Sequence, residues 1–383
     1  MGKLEPIVNG ESQNGILPHQ ALVKMTEMGA IKGNPAIEES QIQPASLDLR
    51  LGKKAWRVRA SFLPGPKCRI ENRLTELGLH EIDLSEGALL ERGSVYIVQL
   101  VESLDLPDFL RGVANPKSST GRVDVFTRLI TDRAEDFDVV AQGYKGPLYL
   151  EIFPRTFGVI VRAGARLNQL RLTGVEERVE GAALESLLRT KAVLDRTLSQ
   201  AENRTLSRGV PLSVDLEGIN GSSLVGYKAK RHAPLIDLER VNFYTPSDFW
   251  EAINKSDNRS IILDPDEFYI LASREAVSVP NEYAAEMVPY DAFTGEFRAH
   301  YAGFFDPGFG HETGKAGGTR AVLEVRSYGV PFMISHGQLV GRLKYERLAS
   351  TPDLLYGAAA GSSYQKQGLK LSKHFKPWKH YPV

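Results

Sequence analysis

The sequence lacks the features by which several large classes of protein are recognised. Its 383 residues include one cysteine, Cys68, so no disulfide can form within the chain and no zinc site with two or more cysteines can be assembled. No apolar run approaches the roughly 18 to 20 residues that span a bilayer. The N-terminal residues have no apolar core of the kind found in secretory signals. We therefore expect a protein of the reducing cytoplasm that uses no zinc and has no membrane partner.

An excess of charge of one sign is missing as well. Lysine plus arginine and aspartate plus glutamate each number 47, so the net charge is zero and no overall field attracts a nucleic-acid backbone. No glycine-rich segment joins a strand to a helix in the manner of Rossmann and P-loop proteins. Nucleic acid is therefore not expected as a partner, whereas a local basic pocket for a small anion stays open.

The chain contains two copies of one unit. Residues 93–107, GSVYIVQLVESLDLP, align without gaps on residues 266–280, DEFYILASREAVSVP, at an offset of 173. The same offset places GPLYLEIFPRTFGVIV, which holds Glu151, on TRAVLEVRSYGVPFMI, which holds Glu324. A further pair, PASLDLRLG around Asp48 and PLSVDLEG around Asp215, aligns at an offset of 167. Similar blocks in the same order indicate a tandem repeat.

Each copy is expected to be built from strands. Short runs of β-branched and aromatic residues alternate with proline and glycine turns, which is typical of a β-sandwich or barrel. A polar, amphipathic segment between the copies predicts a helix. We therefore predict a mainly β protein with minor helices: a β domain over residues 1–175, a helical linker over 176–205 and a second β domain over 206–383.

Hydroxyl and basic side chains are concentrated in one short stretch of the first copy. Residues 114–122, ANPKSSTGR, contain Lys117, Ser118, Ser119 and Arg122, whereas the second copy has MVPYDAFTG at the corresponding place. Adjacent hydroxyls, backbone N–H groups near a glycine and two cations suit phosphate oxygens. The alternative is an ordinary polar turn.

A glutamate lies inside an apolar strand of each copy. Glu151 follows Tyr149 and precedes Phe153 on one face of the predicted strand, and Glu324 has the equivalent place. An inward carboxylate loses hydration unless something compensates it, and such groups are candidates for acid–base chemistry. The alternative is an outward glutamate on the surface, which is the commoner arrangement in strands.

Taken in order, these segments resemble the dCTP deaminase family, whose fold is shared with the trimeric dUTPases. In the first copy the resemblance rests on QPASLDLRLG, LPDFLRGVANPKSSTGR, LITDR and GPLYLEIFP. In the second copy it rests on SVDLEG, FFDPGFG, AVLEV and GQLVGRLKYERL. The resemblance covers nearly the whole chain and implies two tandem dUTPase-like domains of the β-barrel or sandwich (β-clip) type.

The resemblance also implies roles for individual residues. The catalytic glutamate of the family falls on Glu151, its serine and arginine fall on Ser118 and Arg122, and the main-chain carbonyl that holds the attacking water falls near Thr131. The positions implied for phosphate binding are Lys117 and Ser119. Those implied in the tail, which closes over the triphosphate, are Tyr356, Lys366 and Gln367. Magnesium would be bound through the substrate triphosphate.

Departures from the family pattern make the two copies look complementary. The DPG hairpin is intact in the second copy at Asp306, but the first copy has Ala141 in place of its aspartate. The second copy in turn lacks the Ser/Ser/Arg cluster. We therefore predict a composite site in which Asp306 and the tail serve the cluster of the first copy. Glu324 is the alternative to Glu151 as the acting base, and an extra segment between Arg133 and Tyr144 has no role predicted from sequence.

The resemblance implies hydrolytic deamination of dCTP to dUTP and ammonia. Two alternatives stay open: a bifunctional enzyme that continues to dUMP, and a scaffold that binds a nucleotide without turnover. Because relatives build their sites between three subunits, we expect a homo-oligomer, with a trimer of chains as the specific prediction.

Overall fold

The structure, a computed structural model, describes residues 14–191, 193–289, 297–299, 303–311, 318–357, 364 and 367–378. Over these residues the predicted mainly β fold is confirmed, and the helices are short. The chain forms two compact units. The first comprises the chain up to Glu177 together with Leu235–Arg240 and Arg347–Leu354, and the second comprises the remainder. None of the described helices is long and apolar enough to cross a membrane.

The strands and helices are numbered here in chain order. The strands before residue 180 are β1 (Ile31–Gly33), β2 (Leu47–Val58), β3 (Gly78–Asp83), β4 (Ala88–Leu90), β5 (Val95–Asp105), β6 (Arg111–Pro116), β7 (Val125–Thr131), β8 (Val139–Val140), β9 (Lys145–Pro154), β10 (Val159–Val161) and β11 (Arg166–Thr173). The later strands are β12 (Val210–Ser213), β13 (Leu224–Ala229), β14 (Ile236–Asp237), β15 (Trp250–Asn254), β16 (Ser260–Leu263), β17 (Phe268–Val277), β18 (Tyr283–Pro289), β19 (Phe297–Ala299), β20 (Phe304–Phe305), β21 (Thr319–Ser327), β22 (Phe332–Ser335) and β23 (Leu339–Arg347). The α-helices are α1 (His19–Glu27), α2 (Ile70–Leu77), α3 (Ser118–Gly121), α4 (Gly181–Thr190), α5 (Gln200–Asn203) and α6 (Pro246–Phe249).

The first unit is organised around one large sheet. Its strand order is β7-β9-β5-β2-β11-β6-β8, with β1 on β5 and β3 on β2, and a smaller sheet has the order β14-β10-β4. In β9, Leu150 and Ile152 point to one face while Tyr149 and Glu151 point to the other, and all four are buried. Both faces of this strand are therefore covered, which explains its nearly continuous apolar sequence.

A short helix covers the face of β9 that carries Glu151. Ile70 and Leu74, one turn apart on α2, pack with Ile130 and Tyr149 in a cluster separate from the main core. Tyr149 and Glu151 are two residues apart and so share this face. The glutamate therefore lies beneath an added layer rather than at an open sheet surface.

The second unit repeats the strand pairing of the first. Ile97 lies opposite Glu151 in the β5–β9 pair, and Ile270 lies opposite Glu324 in the β17–β21 pair. The register in both pairs then shifts at equivalent places, after Gln99 and after Ala272. A shared register with a shared irregularity shows that the sequence duplication is a duplication of structure.

The alignment at an offset of 167 is wrong. Leu170 of β11 and its counterpart Leu343 of β23 pair with Leu47 and Val210, respectively. This pairing gives an offset of 163 and makes Pro211, rather than Asp215, the counterpart of Asp48. The similarity of two short Ser-x-Asp-Leu sequences had shifted the alignment by four residues. The second copy thus has no carboxylate at the position of Asp48.

The segment expected as a helical linker contributes to the core of the second unit. Leu184 and Leu187 of α4 are buried there together with strand residues such as Leu212 and Leu343. An ion pair also fixes the segment between α4 and α5. Arg196 donates two hydrogen bonds to Glu202 and lowers the pKa of that carboxyl to about 2.

Candidate active site

The Ser/Arg cluster forms a tight turn between two strands of the first unit. Pro116 ends β6, and the chain makes one helical turn, α3, before β7 begins. The backbone N–H of Arg122 donates to the carbonyl of Ser118 over 3.0 Å, which closes the turn. Ser119 and Arg122 are buried, whereas Ser118 is half-buried. The turn lies beside β7 and β11, so its side chains are held by a rigid sheet edge.

Lys117 precedes this turn and forms an ion pair with Asp48. The lysine Nζ contacts Oδ2 of Asp48, whose side chain is 4% exposed, while that of the lysine is 23% exposed. Oδ1 of Asp48 accepts no hydrogen bond from the described part of the chain. Lys117, predicted as a phosphate ligand, therefore already balances a buried carboxylate, and incoming phosphate would share its charge.

Replacing Lys117 by Met is expected to lower the stability of the first unit by about 3 kcal/mol, because Asp48 becomes an uncompensated buried charge. Lys117→Met combined with Asp48→Asn removes that charge and is expected to recover most of the loss. Thermal unfolding of the two variants and the wild type measures the effect. Equal unfolding temperatures for the single and double variants would contradict the role of the pair.

Glu151 lies on β9 and is paired with an arginine of the neighbouring strand. It is 1% exposed, so the alternative of an outward surface glutamate is wrong. Arg128 of β7 lies directly opposite and donates from Nε and Nη2 to the same glutamate oxygen, Oε1, over 2.8 and 2.5 Å. Oε2 is buried and accepts no hydrogen bond from any residue that the structure describes. One carboxylate oxygen is thus held, and the other is left for a ligand or water.

Arg128 was not identified from the sequence. In the sequence VFTRLIT it is a cation within a largely apolar predicted strand. This unusual position could have identified Arg128 as a candidate. A buried carboxylate needs a compensating charge, and an inward arginine on an adjacent strand provides one. The strand register needed to join the two residues is visible only in the structure.

Thr131 lies at the end of β7, next to β9, and is buried. Its main-chain carbonyl accepts a hydrogen bond from the N–H of Ala134 over 3.3 Å, and a carbonyl oxygen has a second lone pair for a water. Two tyrosines share this region: burial raises the pKa of both Tyr144 and Tyr149 to about 12, so both hydroxyls are neutral at physiological pH.

The structure places the predicted residues of the first copy around one strand. The turn with Ser118 and Arg122 precedes the first residue of β7, Glu151 of β9 lies opposite Arg128 in the middle of β7, and Thr131 is the last residue of β7. Ala141, where the family pattern has an aspartate, is exposed in the turn between β8 and β9.

In the second unit, Asp306 and Tyr356 belong to one local structure. Asp306 is buried and its carbonyl accepts from the N–H of Phe309 over 3.0 Å, with Gly308 at a φ of 94° between them. The N–H of Tyr356 donates to the carbonyl of Pro307 over 2.8 Å, and its ring packs against Phe309. The start of the tail therefore lies on the DPG turn.

The remaining predicted residues of the second copy have separate positions. Glu324 is buried on β21, so the surface alternative is wrong for this glutamate as well. The amide of Gln367 donates to the carbonyl of Arg320 over 3.2 Å. Lys366 lies outside the described residues.

Comparisons with known proteins agree with this architecture. A family model described as the 2′-deoxycytidine 5′-triphosphate deaminase N-terminal domain matches residues 13–176, and the model of the C-terminal domain matches residues 182–375. The chain is similar to a solved 2′-deoxycytidine 5′-triphosphate deaminase from Agrobacterium tumefaciens, with 50% identity and a TM-score of 0.83 over 88% of this chain and 100% of that chain.

Two curated relatives match part of the chain. A "dCTP deaminase, dUMP-forming" from Sulfurihydrogenibium sp. (strain YO3AOP1) is 28% identical over 168 residues, which cover 43% of this chain and 87% of the relative. A "dCTP deaminase" from Alteromonas mediterranea is 31% identical over 133 residues, which cover 33% of this chain and 64% of the relative. With both family models matched in order and a 50% identical structure covered throughout, the chain belongs to the 2′-deoxycytidine 5′-triphosphate deaminase family of enzymes.

Proposed function

We propose that this chain deaminates dCTP by hydrolysis, with Glu151 as the general acid and base. The observation that carries the proposal is the state of this buried carboxylate: Arg128 holds Oε1, and Oε2 has no hydrogen-bond partner among the described residues. A glutamate fixed in this way is oriented to exchange a proton with one water.

The proposed reaction uses that free oxygen twice. Oε2 takes a proton from a water held by the carbonyl of Thr131, and the Ser118 hydroxyl reaches that water from a neighbouring chain of the predicted oligomer. The resulting hydroxide adds to C4 of cytosine while Glu151 returns the proton to ring N3, and the carboxylate then moves the proton of the new C4 hydroxyl to the amine. The C4–N bond then breaks, ammonia leaves and a uracil nucleotide remains. Arg122 fixes the geometry and offsets negative charge as it develops.

Lys117 and Ser119 are proposed to bind the triphosphate. These residues offer an ammonium and a hydroxyl, and the adjoining Asp48 carboxylate already forms an ion pair with Lys117. Such groups suit phosphate oxygens better than a metal ion. Magnesium would therefore be held by phosphate and water oxygens, where it offsets the triphosphate charge. The composite site with Asp306, the tail residues and the trimeric assembly stay predictions.

A second candidate function is favoured by the names of the relatives. Those from Sulfurihydrogenibium sp. and Salinispora tropica are both called dUMP-forming, and such names support dUMP as the product better than dUTP. Ala141 cannot take a proton, so in this candidate Asp306 activates the water that attacks the phosphate.

Incubation of the protein with dCTP and Mg²⁺, with nucleotides separated and both ammonium and pyrophosphate measured, tests the proposal. One ammonium is expected per dCTP consumed. Pyrophosphate in equal amount identifies the second candidate, and Asp306→Asn is then expected to keep ammonium release while losing pyrophosphate. Thermal stabilisation by dCTP without ammonium would instead support the non-catalytic scaffold.

A further inference from the structure

We infer that Phe137 and Ser61 are positioning residues that clamp Arg128 onto Glu151, an inference that rests on the proposed role of Glu151. The face of the Phe137 ring lies 3.5 Å from the guanidinium carbon of Arg128. Ser61 Oγ accepts a hydrogen bond from Nη2 of the same guanidinium over 2.7 Å. The ring of Phe126 lies farther away, 5.0 Å from the same carbon, so Phe137 makes the closer of two ring contacts. The guanidinium is thus contacted by aromatic rings, the Ser61 hydroxyl and the Glu151 carboxylate.

This contact gives a role to the extra segment between Arg133 and Tyr144. Phe137 lies within that segment and packs partly buried against the cluster of α2. The next residue, Asp138, ties the segment to β7: its Oδ1 accepts from the N–H of Leu129 over 2.8 Å, and its own N–H donates to the Leu129 carbonyl over 2.9 Å. The ring is therefore presented to Arg128 by a backbone anchored on the adjacent residue.

The clamp matters because an arginine side chain is long and flexible. Arg128 keeps 24% of its side chain exposed, so burial alone does not select one rotamer. Fixing such a side chain costs conformational entropy, and a stacked ring and an accepting hydroxyl offset part of that cost. If the guanidinium swings away, Glu151 loses the charge that balances it and the orientation that leaves Oε2 for the water.

Two substitutions of Phe137 separate stacking from simple packing. Leucine preserves apolar bulk but has no aromatic face, whereas tyrosine preserves the face. Phe137→Leu is expected to lower kcat for dCTP roughly tenfold with KM nearly unchanged, on the scale of a cation–π contact. Phe137→Tyr is expected to keep the wild-type rate, and both variants are expected to unfold at similar temperatures.

Ser61→Ala and a double substitution extend the test. Ser61→Ala is expected to lower kcat about threefold, the scale of one hydrogen bond at an exposed edge. In a Glu151→Gln background, Phe137→Leu is expected to have no further effect, because the clamp acts through that carboxylate. Val139→Ala, an exposed residue of the same segment, serves as the matched control.

The inference and the proposed function fail in different ways. If the wild type releases no ammonium from dCTP, the proposed function is wrong. If the wild type is active and Phe137→Leu is equally active, or the Leu and Tyr variants are impaired alike, the clamp is wrong. Crystal structures of the two variants provide a readout independent of activity: Arg128 is expected to leave Glu151 in the Leu variant alone, and an unmoved arginine would also overturn the inference.

Discussion

Glu151→Gln is expected to lower ammonium release from dCTP about 10³-fold, the scale of losing a general acid–base group. Glutamine has nearly the same shape, so it can still accept from Arg128 through its carbonyl oxygen. It cannot, however, take a proton from water at neutral pH. Binding of dCTP is expected to persist, because the triphosphate is assigned to Lys117 and Ser119. Initial rates at saturating dCTP, together with a binding isotherm, measure both quantities.

Glu324→Gln tests the alternative base and serves as the comparison for this substitution. Both glutamates are buried, and each lies opposite an isoleucine in an equivalent strand pair. Both substitutions preserve the shape of a buried side chain at an equivalent place in the strand pairing, while their chemical consequences are expected to differ. Turnover within about threefold of the wild type is expected for the Glu324 variant. The opposite result, an active Glu151 variant and an inactive Glu324 variant, would transfer the catalytic role to the second copy.

Arg122→Lys is expected to lower kcat about 10²-fold, the scale of losing one preorganised donor to developing charge. The side chain is 3% exposed, so a lysine there retains the positive charge in the same surroundings. The substitution removes the planar guanidinium group, which presents several N–H donors in fixed directions. A smaller effect on KM than on kcat would show that the fork acts mainly on the transition state.

Arg342→Lys controls for the cost of exchanging a buried arginine. Arg342 is 7% exposed in the second unit and donates to the carbonyls of Thr205 and Gly209. Its replacement is expected to reduce thermal stability and leave turnover of the folded protein unchanged. A rate loss in this variant as large as in Arg122→Lys would mean that the loss reflects stability rather than catalysis.

Several features could be predicted from the sequence because they are carried by local patterns. Alternating apolar runs and turn residues indicated strands, and the common offset of 173 predicted a repeated unit, whose equivalent strand pairs have the same register in the structure. Glu151 stood out because a carboxylate inside an apolar strand needs an explanation. The family was recognised from short motifs in a fixed order, and the comparisons bear it out.

Features that depend on contacts across the fold could not be predicted in this way. Arg128 is 23 positions from Glu151, and only the pairing of β7 with β9 brings them together. The stacking of Phe137 needs the path of an irregular segment, for which no periodic pattern exists. The pairing of Asp48 with Lys117 joins residues 69 positions apart. In each case the sequence shows a suitable residue, and tertiary structure selects its partner.

The position of the oxygen that water delivers distinguishes hydrolysis at the base from hydrolysis at the phosphates. When dCTP is consumed in H₂¹⁸O, attack of water on C4 places one ¹⁸O atom in the uracil base, which mass spectrometry of the released base detects. One labelled oxygen is expected in every base formed, whether the nucleotide leaves as dUTP or as dUMP. Consumption of dCTP with ¹⁸O confined to phosphate groups and the cytosine base intact would rule out deamination by this protein.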